Sequence, residues 1–69
     1  MKIKSWVEAP RYAHFASSLR KYAIKMNFEI KITVDKELFF ETIFWEADGT
    51  EEQMSQFKTD WNHFVGENT

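Results

Sequence analysis

From Phe28 to Asp35 apolar and polar side chains alternate without a break, Phe28, Ile30, Ile32 and Val34 against Glu29, Lys31, Thr33 and Asp35. Successive side chains of a strand point to opposite faces, so this period of two commits the segment to a strand with one buried and one wet face. All but Phe28 of the apolar residues are β-branched, which suits a pleated surface. Such a strand does not stand alone: it needs neighbouring strands and a layer over its apolar side. The rest of the chain must supply both.

A second alternating run precedes it. Ile3, Ser5 and Val7 fall on one side and Lys2, Lys4 and Trp6 on the other, which predicts a short strand over residues 2–8. Pro10 suits the first turn of a helix, and Tyr12, Phe15, Ala16, Leu19, Tyr22, Ala23 and Met26 then recur at spacings of three and four. That spacing predicts a helix over about residues 10–26, with Asn27 as its left-handed terminator. After a polar break at Asp35-Lys36-Glu37 comes an apolar run from Leu38 to Ala47 with bulky residues in both registers. Leu38, Phe40, Thr42 and Phe44 share one face, while Phe39, Glu41, Ile43 and Trp45 share the other, as in a central strand covered on both sides. Asp48-Gly49 is a turn, and Thr50 with Gln53 forms a capping box. Met54, Phe57, Trp61, Phe64 and Val65 make a second helical stripe that Gly66 is expected to close.

The order is strand, helix, strand, strand, helix. A right-handed crossover makes the first two strands parallel, and placing the third between them makes every neighbouring pair antiparallel. The expected fold is one α+β domain over residues 1–69, a split βαβ layout with a three-stranded antiparallel sheet and both helices on one face. In topology alone this resembles a ferredoxin-like fold lacking its last strand, and topology does not license a function.

At 69 residues, with no cysteine for a disulfide or thiolate metal site, the chain has few ways to gain stability. A single core of this size supplies only about 3–5 kcal/mol. The available remedies are large core side chains, consistent with 17% aromatic residues, and self-association. No run reaches the roughly 18 apolar residues of a membrane span, and Met1-Lys2-Ile3-Lys4 lacks the apolar core of a signal peptide. A soluble, cytoplasmic protein without a membrane partner is expected.

Charge is segregated along the sequence, net +5 over residues 1–34 and net −7 over residues 35–69. Arg11, His14, Lys21 and Lys25, with Ser18 among them, recur at helical spacing opposite Phe15 and Leu19 and are expected to form one basic row. Three readings fit that row: a solvated helix face, a contact for a nucleic-acid backbone, or a dock for an acidic partner protein or second copy.

If the helices cover Ile3, Val7, Ile30 and Ile32, the opposite sheet surface carries Lys2, Lys4, Trp6, Lys31 and Thr33, together with Phe39, Glu41, Ile43 and Trp45. Two tryptophans on a nominally wet face call for a cover. The leading expectation is a homodimer or higher homo-oligomer in which such faces pack, with Trp6, Phe39, Ile43 and Trp45 as the interface. The same rings beside Lys2, Lys4 and Lys31 also fit a platform for stacked bases.

Chemistry-bearing motifs are scarce. His14 and His63 have no second ligand at metal-binding spacing, and Gly49 and Gly66 build neither a phosphate loop nor a nucleophile elbow. The sequence suggests no catalytic residue, cofactor or metal. Glu41 is the one acid expected to be partly buried, leaving a small-molecule site or enzyme with an inter-subunit pocket as a third reading. The expectation is a non-enzymatic interaction module.

Overall fold

The computed structural model describes residues 1–68; the domain expected over 1–69 thus includes Thr69, which lies outside the described residues. The elements are β1 (Lys2–Pro10), a 3₁₀ turn (Arg11–Ala13), α1 (Phe15–Met26), β2 (Glu29–Lys36), β3 (Phe40–Asp48) and α2 (Glu51–Asn68). The sheet order is β1-β3-β2, and β3 is antiparallel to both neighbours. The split βαβ architecture expected from the sequence is the one observed.

Register explains which face is buried. Directly opposed residues of antiparallel strands share a face. Ile3 opposes Ala47 and Val7 opposes Ile43 across β1 and β3, while Ile30, Ile32 and Val34 of β2 oppose Ala47, Trp45 and Ile43. These side chains meet Phe15, Ala16, Leu19 and Ala23 of α1 and Met54, Phe57 and Phe64 of α2 in one core. The core is built of rings. Phe57 lies with its centroid 5.4 Å from Tyr22, 5.2 Å from Phe28, 5.1 Å from Trp45 and 5.6 Å from Trp61. Rings of this size bury much apolar area per ordered side chain, the first of the two remedies open to a short chain.

The junctions are specified locally. Thr50 Oγ1 accepts the Gln53 backbone N–H at 3.1 Å and Gln53 Oε1 accepts the Thr50 N–H at 2.8 Å, which closes the capping box. Gln53 Nε2 also donates to the Met26 and Asn27 carbonyls at 3.3 and 3.0 Å, so one side chain ends α1 and starts α2. Asn27 adopts φ 60° and ψ 46°, and the Phe28 N–H returns to the Ala23 carbonyl at 3.0 Å, the left-handed termination expected there. Gly49 sits at a close approach: a Cβ there would lie 2.6 Å from Gln53 Oε1 and 3.0 Å from Phe28 Cβ, so a larger residue would displace the capping side chain.

Two helix boundaries differ from the expectation. Pro10 ends β1 instead of opening a helix, because the next N–H, that of Arg11, is drawn to the Phe39 carbonyl at 3.0 Å. His14 then takes φ 51°, and α1 starts only at Phe15. Tyr12, expected on the apolar face of the helix, is consequently exposed. At the other end α2 runs through Gly66 to Asn68, since the Gly66 backbone is not left-handed.

Candidate functional site

With both helices on one side, the other side of the sheet is bare. Its residues read in rows across β1, β3 and β2. Lys2, Asp48 and Glu29 form the first row, then Lys4, Glu46 and Lys31, then Trp6, Phe44 and Thr33, then Glu8, Thr42 and Asp35. Trp6 is 60% and Phe44 48% exposed, so two large rings stand side by side on the open surface. A shallow depression is framed by Lys4, Trp6, Lys31, Thr33, Phe44 and Glu46.

The face assignment expected for β3 is corrected here. Ile43 is fully buried and Trp45 only 6% exposed, both under the helices with Glu41, while Phe40, Thr42, Phe44 and Glu46 occupy the bare face. Both registers of β3 contain large apolar residues, and what decides is the vote of the opposing strands: Ile3, Val7, Ile30, Ile32 and Val34 all lie across from the odd-numbered positions. Phe39 is exposed but does not belong to the strand. β2 runs on through Lys36, and Glu37-Leu38-Phe39 form the hairpin tip, with the Glu37 N–H donating to the Phe40 carbonyl at 2.8 Å. Of the four residues expected at the interface, the structure leaves Trp6 on the bare face; Phe44 takes the place given to Trp45. The signal missed in the sequence was Ala47, which extends the series Ile43, Trp45 and places a third apolar side chain in the buried register.

Trp45 lies among the rings of Phe57 and Trp61, at 5.1 and 5.0 Å between centroids. Its indole N–H is buried with no hydrogen-bond partner among the described residues. Nearby, Ile3, Lys4, Ser5, Phe57, Lys58 and Trp61 line a cleft of about 210 Å³ between β1 and α2.

The basic row is interrupted. Arg11 sits in the 3₁₀ turn, where Nη1 reaches the Glu37 carbonyl at 3.5 Å, and His14 occupies the left-handed residue before α1. Of the basic residues expected in the row, only Lys21 and Lys25 lie within the helix, one turn apart and following Ser18. Glu41 is buried as expected and lines a depression with Ala16 and Ser17 of the first turn of α1, and with His14, Arg20 and Lys36. No ion pair within 4 Å holds it among the described residues. His63 pairs with Glu67 at 2.9 Å on the surface of α2.

Among the described residues no group of three or more His, Cys, Asp or Glu side chains is placed to hold a metal ion, and no helix is long and apolar enough to cross a membrane. Comparisons with protein-family models, curated proteins and solved structures found no match.

Proposed function

We propose that this protein is a non-enzymatic interaction module that associates with copies of itself through the bare face of its sheet. The observation carrying this reading is the exposed Trp6–Phe44 pair, opposed across β1 and β3 at the centre of a face that no other element of the described residues covers. Packing such rings against their counterparts removes apolar area that one subunit cannot bury.

Charge favours a second copy over a polyanion. The bare face carries Lys2, Lys4 and Lys31 against Glu8, Glu29, Asp35, Glu46 and Asp48, so more carboxylates than lysines surround the rings. A phosphate backbone would meet net repulsion there, and the broken basic row of α1 offers no compensating track. A surface bearing both signs is suited to a copy of itself.

The face is small for an interface. Strands of eight or nine residues make the face; at about 4.8 Å between strands and about 3.4 Å per residue it projects to on the order of 400 Å². A face this small falls at the low end of interface sizes, where weak and reversible association is common. Sedimentation equilibrium tests this. The wild type is expected to dissociate on dilution, and Trp6→Ser or Phe44→Ser to weaken association at least tenfold while circular dichroism of the monomer is unchanged. A wild type that stays monomeric, or variants that associate as before, would overturn the reading.

A further inference from the structure

The charges on the bare face are ordered by row, and the order selects a docking geometry. Taking the self-association reading as its premise, we infer that two copies pack face to face about a two-fold axis running along the Trp6–Phe44–Thr33 row, with their strands antiparallel. The rows on either side of that line are each displaced by two residues, about 7 Å. One holds Lys4 and Lys31 flanking Glu46; the other holds Glu8 and Asp35 flanking Thr42. Rotation about the central row exchanges them. Lys4 then faces Glu8 of the second copy and Lys31 faces Asp35 of the second copy, and symmetry makes each pair twice. Trp6 and Phe44 meet their own counterparts on the axis.

The other two-fold compatible with stacked sheets runs along β3. It places Lys4 over Lys31, Glu8 over Asp35 and Glu46 over its own counterpart, so every charged pair beside the rings is repulsive. Like charges brought together on docking suppress a wrong arrangement more strongly than exposed pairs favour a right one. Within one subunit the groups are available: among the described residues, none of Lys4, Glu8, Lys31 and Asp35 takes part in an ion pair within 4 Å, whereas Lys2 is paired with Glu46 at 3.6 Å. Packed sheets cross at about 30° because each is twisted, so rows farther from the axis splay apart and the central three carry the contact. The rings supply affinity and the rows supply orientation.

The test is a charge exchange read as a dissociation constant at low ionic strength. Glu8→Lys sets two lysines against each other on each side of the axis and alters no opposed charge within the subunit, because Glu8 lies across from the neutral Thr42. It is expected to weaken association about tenfold, and adding Lys4→Glu in the same chain to restore it to within about twofold of wild type. Asp35→Lys with and without Lys31→Glu repeats the experiment on the opposite edge strand. If Glu8→Lys leaves the constant unchanged or tightens it, as the axis along β3 requires, or if the double variants are not restored while the wild type still associates, this geometry is overturned and the broader reading stands. A wild type that does not associate overturns both.

Discussion

Tyr22 and Asp60 join the two helices through a single hydrogen bond, with the phenol donating to the carboxylate at 3.0 Å. Burial, then that hydrogen bond and the adjacent negative charge, push the phenol up from 10.0 to about 12. Asp60 is held below its ordinary value, first by the Gln56 amide and then by Tyr22. In the unfolded chain the phenol loses its proton near 10.0, whereas the folded protein keeps it to about 12. The folded state binds more protons over that interval, so the contribution of Tyr22 to stability is complete below it and declines as pH rises through it. Denaturant midpoints measured across the interval should fall for the wild type and fall less for Tyr22→Phe; equal slopes would show that the half-buried phenol is not the group responsible. The sequence placed Tyr22 on the apolar side of its helix, but not its partner, because the bond spans 38 positions and no periodicity reports on it. Trp45 and Ile43 show the same limit differently: period two says which residues travel together, and only the register with β1 and β2 says which set faces the helices.

Strand β2 was legible because its alternation is strict and its polar residues are plainly polar, and the capping box of α2 because it is a contact between residues three apart. The start of α1 was not, since it is decided by a bond from Arg11 to the distant hairpin carbonyl of Phe39. Gly66 misled in the opposite direction. Glycine often ends a helix, yet here it is an exposed helical residue with nothing within 4 Å of an added Cβ. Gly66→Ala should therefore stabilise the protein by about 0.5–1 kcal/mol through helix propensity and a less free unfolded chain. Thermal melts at a dilution where the monomer predominates should show Tm higher by a few degrees, at about 4–8 °C per kcal/mol for a domain of this size. A lower Tm would mean that the helix does not continue through Gly66.

At the level of the whole molecule, 69 residues without a disulfide have been given an aromatic core on one side of a sheet and the exposed rings of Trp6, Phe40 and Phe44 on the other. The core is accounted for within the subunit, with Phe57 in ring contact with Tyr22, Phe28, Trp45 and Trp61. Trp6 and Phe44 are not, and they lie between a lysine row and a carboxylate row that match when one copy is turned over upon another. Composition alone pointed to a surplus of rings; the pair exposed on the bare face emerged only when register moved Trp45 inside and Phe44 outside. A dilution series of amide and indole NMR spectra addresses that assignment most directly. Concentration-dependent shifts are expected at Lys4, Trp6, Glu8, Lys31, Thr33 and Phe44, with the Trp6 indole moving and the Trp45 indole fixed. Spectra that do not change with concentration, or shifts confined to α1, α2 or the hairpin tip at Leu38 and Phe39, would contradict it.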